Sequence, residues 1–145
     1  MLDSALFQEL GAYLRREGVV LAYLFGSVAR QDDGPLSDVD IAILFGRDMS
    51  PDEAFDAACR LSAELPSLLE CPTDVVILNT APPLLRYVVI DEGVPIINED
   101  DSLRVEFEAR TINEYLDTQH LRAVQRHYLY ERLGRGCYAT TTRSD

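Results

Sequence analysis

At 145 residues, with 47% hydrophobic and 26% charged side chains, the chain is long enough for one self-supporting core and too balanced in composition for disorder. Its 25 acidic residues against 13 basic ones give a formal charge of −12, which repels a phosphate backbone and argues against a simple nucleic-acid-binding module. Residues 1–100 hold 18 acidic and 6 basic side chains while residues 101–145 hold 7 of each, so the imbalance sits in the first two-thirds.

Asp3 and Ser4 are N-cap candidates for a helix over residues 3–17, in which Leu6, Leu10, Tyr13 and Leu14 share a face. Arg15 and Arg16 suit the negative end of its dipole, and Gly18 stops it. Residues 19–25, VVLAYLF, form a β-branched and aromatic run of buried-strand length. The turn-rich GSVARQDDGPLS follows, with one helical turn expected at Ser27, and residues 38–45, DVDIAILF, read as a second strand. Ser50-Pro51-Asp52-Glu53 predicts a helix start, with Ser50 capping and Pro51 in the first position. That helix is expected to end near Leu65, because Pro66 disfavours helical backbone in the residue before it. Residues 73–79, TDVVILN, predict a third strand; Ala81-Pro82-Pro83 opens a helix that Gly93 closes; residues 94–98, VPIIN, predict a fourth strand. From Asp101 to about Leu133 neither proline nor glycine occurs, which predicts one long C-terminal helix or a broken pair. The small, polar residues 134–145 are expected to be a flexible tail.

This order predicts an α/β (α+β) domain with a small sheet flanked by helices. The first two strands are joined by a link too short for a parallel crossover, so a mixed sheet is expected. Residues 1–100 are expected to form the domain that carries the chemistry, and residues 101–133 a helical extension. No apolar run approaches the ~20 residues of a membrane span, and MLDSALFQEL lacks a basic secretory n-region. Cys59, Cys71 and Cys137 are too few and scattered for a disulfide framework, so a cytoplasmic address is expected.

The chemistry concentrates at Gly26-Ser27, ten residues, then Asp38-Val39-Asp40, with Asp74 following Thr73 at the start of the third strand. Asp38 and Asp40 lie two apart on a strand, which puts them on one face about 6.6 Å apart. Carboxylates that close repel, and a divalent cation relieves the repulsion; Mg²⁺ favours one or two carboxylates plus substrate phosphates. Asp74 on a neighbouring strand is placed to bridge a second ion, and two ions clamp the attacking and leaving oxygens of an in-line displacement. Gly26 lets the backbone approach a ligand, while Ser27, opening a helical turn, offers a hydroxyl and N–H groups to a phosphate. Arg30, three residues on, lies on the same side of that turn and within reach of a phosphate. The residues alone therefore reach metal-dependent nucleotidyl transfer.

Gly-Ser followed by Asp-x-Asp at this spacing resembles the DNA polymerase β-type nucleotidyltransferase superfamily. The small size, Ser37-Asp38, TDVVILN and APPLLRYVVIDEGVPIIN resemble its minimal nucleotidyltransferases, over residues 19–98. The resemblance implies a polymerase β-like fold in which Asp38, Asp40 and Asp74 bind Mg²⁺, two ions being expected. It implies that Gly26 and Ser27 contact the phosphates of ATP and that Asp74 helps deprotonate the acceptor. Gln31 departs from the glycine that family members often carry after the arginine, leaving the turn to Gly34. Minimal nucleotidyltransferases are commonly antitoxins of HEPN-domain ribonuclease toxins. The resemblance thus implies a Mg²⁺-dependent protein adenylyltransferase that moves AMP from ATP to a toxin tyrosine beside the Arg-x4-His active site, where added bulk and charge block RNA. The implied partners are the HEPN toxin and ATP, with no direct nucleic-acid or membrane contact.

Two alternatives stand beside this reading. One is an antitoxin that masks the toxin by contact alone; the other is a nucleotidyltransferase acting on a small hydroxylated molecule such as an aminoglycoside, for which about 45 residues beyond the domain are few. In the extension, Phe107, Ile112, Tyr115, Leu116, Val124 and Tyr128 are expected partly to pack on the domain and partly to grip the partner. Arg122-x4-His127-Tyr128 comes near the toxin signature, but its tyrosine spacing is wrong and it reads as a surface helix. His120 and His127 have no third ligand and read as solvated residues.

Overall fold

The computed structural model describes residues 3–26, 38–98 and 100–134. Helix α1 (Ser4–Arg16) begins where the Asp3 side chain accepts from the Leu6 N–H at 2.7 Å, and Gly18 turns out of it with φ 91°. Strands β1 (Val19–Phe25) and β2 (Val39–Phe45) follow, then α2 (Pro51–Leu69), β3 (Thr73–Ile77), α3 (Pro83–Glu92), β4 (Val94–Ile97), α4 (Asp101–Asp117) and α5 (Gln119–Gly134).

The start of α2 is a reciprocal cap. Ser50 Oγ accepts from the Glu53 N–H at 3.1 Å, and the Glu53 carboxylate accepts from the Ser50 N–H at 3.0 Å, which holds that carboxyl below its usual range. The expected end at Leu65 is corrected: α2 runs through Pro66 to Leu69. A proline near the end of a helix costs one internal hydrogen bond, and the extra turn buries Leu69 beside the fully buried Leu61 and Leu65. The helix closes on Glu70 in the left-handed region (φ 57°).

The C-terminal run is the broken pair, α4 and α5, parted at Thr118. Tyr87 of α3 stacks on Tyr115 at 3.9 Å between ring centroids, and the Arg122 guanidinium lies 3.9 Å from the centre of the Tyr115 ring. Thr118 Oγ1 donates to the Tyr115 carbonyl at 3.0 Å and also meets the Arg122 guanidinium, so side chains occupy the break. Gly134 closes α5; residues 135–145, most of the expected tail, lie outside the described residues.

The strand order is β3-β2-β1-β4, with β1 antiparallel to both β2 and β4 and β2 parallel to β3, a mixed sheet as expected. An irregularity between Val19 and Leu21 resets the alternation of β1. Val19, Ala22 and Leu24 consequently share the face covered by α1 and α2, while Leu21 and Tyr23 look toward α3 and α4. The first core holds Leu10, Leu14, Leu61 and Leu65 against Ile41 and Ile43; the second gathers Leu21, Tyr23, Ala42, Leu78, Val89 and Phe107. At one edge, β4 has four residues and includes Pro95 opposite Tyr23. Among the described residues no helix is long and apolar enough to cross a membrane.

Candidate active site

The carboxylates reach one end of the sheet through register. Phe25, the last residue of β1, is the antiparallel partner of Asp40, and Asp40 is the parallel partner of Asp74. Neighbouring strands run about 4.8 Å apart, so Asp40 and Asp74 project side by side from the face that packs on α3 and α4. Asp38 stands just ahead of β2, where the Val39 N–H donates to the Pro72 carbonyl at 2.9 Å and pins the entry of β2 against β3. Asp38 and Asp74 are exposed and Asp40 is half-buried.

Gly26 completes this end. Its φ of 80° lies in the left-handed region, and a β-carbon placed on it would fall 2.2 Å from Asp40 Oδ2. The bare backbone is thus pressed against the central carboxylate, a contact that any side chain would obstruct. Ser27 and Arg30, with Gln31 and Gly34, lie outside the described residues.

Asp40, Asp74 and Gly26 are therefore brought together, with Asp38 adjacent. The aspartates are not closed into a cage: among the described residues no group of three or more His, Cys, Asp or Glu side chains has metal-holding geometry. Like charges at this separation repel. An all-oxygen donor set at an open edge fits a hard cation such as Mg²⁺, which takes one or two carboxylates and fills its remaining positions with water and substrate phosphates. Near the same end, burial pushes the half-buried Cys71 thiol above its ordinary pKa, and the Asp38 carboxylate adds to the rise.

What sequence patterns missed is the support behind this face. Tyr23, buried in β1, donates its hydroxyl to Glu108 Oε2 of α4 at 2.6 Å across 85 residues of chain. Burial, then the bond to Glu108, raises the phenol well above its ordinary pKa. Arg104 lies 3.7 Å from Glu108, and Arg86 of α3 pairs with Glu114 of α4 at 2.9 Å, so polar contacts tie α4 to the sheet and to α3. The available signal was a tyrosine in the middle of an apolar strand, whose hydroxyl requires a partner when buried. A cleft of about 170 Å³ lined by Leu44, Phe45, Arg47, Arg86 and Thr111 opens at the far end of β2. Leu44 is four residues beyond Asp40, about 13 Å along the strand, so the cleft is separate from the carboxylates.

With this geometry in view, residues 8–102 match the family model described as Polymerase beta, Nucleotidyltransferase. A Methanocaldococcus jannaschii protein named as a candidate protein adenylyltransferase is 36% identical over 84 residues, spanning 58% of this chain and 86% of its own. Protein adenylyltransferase MntA of Shewanella oneidensis is 34% identical over 107 residues, 71% of this chain and 68% of its own. Among solved structures, a chain from a toxin–antitoxin complex with AMP-PNP matches with a TM-score of 0.70 at 26% identity, covering 88% of this chain and 98% of its own. A chain from the Shewanella oneidensis complex of tri-AMPylated HEPN toxin with MNT antitoxin matches with a TM-score of 0.68 at 25% identity, covering 91% of this chain and 99% of its own.

Proposed function

Because the chain belongs to the polymerase β nucleotidyltransferase family, we propose that it is the antitoxin of a HEPN/MNT-type pair and transfers AMP from ATP to a tyrosine of its HEPN toxin. The observation that carries this reading is the register that sets Asp40 beside Asp74, with the backbone of Gly26 against Asp40. Support for the acceptor comes from the tri-AMPylated toxin in one similar complex, and support for the donor from AMP-PNP in another. Residues 1–100 are assigned to catalysis and residues 101–133 to partner contact; the protein works in the cytoplasm.

Members of the family generally use ATP and a divalent metal. Here Asp38, Asp40 and Asp74 would hold Mg²⁺, two ions being the expected number. When bound, Mg²⁺ supplies positive charge that offsets the triphosphate and makes its α-phosphorus more electrophilic. Gly26 lets the triphosphate approach the backbone, and Ser27 and Arg30 hold its oxygens. Asp74 takes the proton from the acceptor hydroxyl. The freed oxygen bonds to the α-phosphorus, the bond from that phosphorus to the β-bridging oxygen breaks, and pyrophosphate leaves. Asp74 is exposed at the sheet end, which suits an acceptor presented on the surface of another protein.

The test is mass spectrometry of the toxin after incubation with this protein, ATP and Mg²⁺. The toxin is expected to gain adenylyl groups. Asp38→Ala and Asp40→Ala are each expected to slow the transfer at least ~10³-fold, a loss on the scale of removing a principal electrostatic contributor. Chelation of the metal stops transfer, and replacing ATP with other nucleotides identifies the transferred group. A toxin that gains no mass with any nucleotide or metal overturns the proposal, and an Asp38/Asp40 double variant that still neutralises the toxin points to masking by contact.

A further inference from the structure

Helix α4 is apolar on two sides. Its inward side carries Leu103, Phe107 and Thr111, of which Phe107 and Thr111 are buried. On the opposite side Val105, Ala109, Ile112 and Leu116 recur at spacings of four, three and four residues, which aligns them in one stripe. All four are exposed, Val105 at 58%, Ile112 at 41% and Leu116 at 54%. Past the break at Thr118, Leu121 and Val124 of α5 are also exposed, at 56% and 49%. A helix that has buried one apolar stripe and leaves a second in water carries a contact surface its own domain does not use. Two heptads are too few for a self-sufficient coiled coil, so the pattern fits packing against a partner's helical surface.

Three observations identify the occupant. The stripe lies wholly beyond residue 102, where the match to the nucleotidyltransferase family ends. The chains solved in toxin–antitoxin complexes nevertheless cover 88% and 91% of this chain, shares that residues 8–102 alone do not reach. The extension is therefore common to antitoxins solved with their toxins. Further, α4 packs on the sheet face from which Asp40 and Asp74 project, so a protein seated on its outer side is on the same side as the carboxylates.

We propose that the Val105–Ala109–Ile112–Leu116 stripe, continued by Leu121 and Val124, is the docking surface for the HEPN toxin. This rests on the reading of the protein as a toxin-modifying antitoxin. The Tyr87–Tyr115–Arg122 stack fixes the turn between α4 and α5 and so the shape of the surface.

The experiment compares the full-length protein with a Val105→Asp/Ile112→Asp/Leu116→Asp variant and a milder Ile112→Ala/Leu116→Ala variant. Circular dichroism and calorimetric binding of Mg²⁺·ATP to the antitoxin alone check that fold and site persist. The aspartate variant is expected to bind toxin at least ~100-fold more weakly by calorimetry, and the alanine variant ~10-fold more weakly. The KM for toxin rises in step while kcat at saturating toxin is retained. Toxin affinity within twofold of wild type in the aspartate variant overturns the proposal. So does a sedimentation shift from dimer to monomer with toxin affinity unchanged, which would make a second copy of this chain the occupant. Wild-type binding without AMP transfer, lost in the stripe variant, ends the transferase reading and supports the docking surface.

Discussion

On the sheet face covered by α1 and α2, packing is between aliphatic side chains such as Leu10, Leu14, Leu61 and Leu65 against Ile41 and Ile43, all completely buried. On the face covered by α3 and α4, Ala42 and Leu21 share space with Tyr23, and β2 and β3 send out Asp40 and Asp74. There the helices are fastened by polar contacts as well, Tyr23 to Glu108 and Arg86 to Glu114. Alternation with a period of two lets one strand serve both faces: Ile41 secures the first core, and Asp40, its neighbour, projects from the opposite face beside Asp74. The contrast predicts that stability and transfer can be disturbed separately in this molecule.

The sharpest way to break that separation is Leu65→Ala, on the dry face. Loss of a wholly buried leucine is expected to cost about 2–5 kcal/mol in urea unfolding. Transfer per folded molecule should be unchanged, and a fall in activity of the folded fraction would show that the two faces are coupled. Gly26→Ala tests the other face. Left-handed backbone and overlap with Asp40 Oδ2 predict a loss of about 1–2 kcal/mol and at least ~100-fold slower transfer. Wild-type kinetics in that variant would remove Gly26 from the site.

The mildest probe is Tyr23→Phe, expected to cost about 1 kcal/mol by removing one hydrogen bond between β1 and α4. Because the phenol's pKa is raised in the fold from its ordinary 10.0, the neutral form is the one the native state favours. Its contribution is complete below about pH 10 and is lost as pH rises beyond that. The stability gap between wild type and variant should therefore hold from pH 7 to 9 and close at higher pH, as denaturation across that range will show. A gap that stays constant up to pH 11 would contradict the linkage.

Local pattern carried a large part of this architecture. Val19–Phe25 could be delimited to the residue, and the Ser50–Glu53 cap and the Pro83 helix start were legible, because each depends on neighbours a few positions away. Asp38 and Asp40 could be singled out as a pair for the same reason. What local pattern could not supply was the partner of each residue across the sheet. That Asp40 faces Asp74 follows only from the parallel register of β2 and β3, and the Tyr23–Glu108 bond spans 85 positions. Pro66 misled because its local preference was outweighed by burial of Leu69, a tertiary gain. The stop between α4 and α5 involves no glycine or proline; it is set by the Tyr87, Tyr115 and Arg122 stack, assembled from three helices.

Pro95 has a consequence for how this molecule meets others. Strand β4 forms one margin of the sheet, is only four residues long, and at Pro95 has no amide hydrogen to give. An extended peptide laid along that margin would find an interrupted ladder, so recognition by strand addition is discouraged there and the sheet resists lengthening into aggregates. Association is thereby turned away from that backbone edge and toward side-chain surfaces.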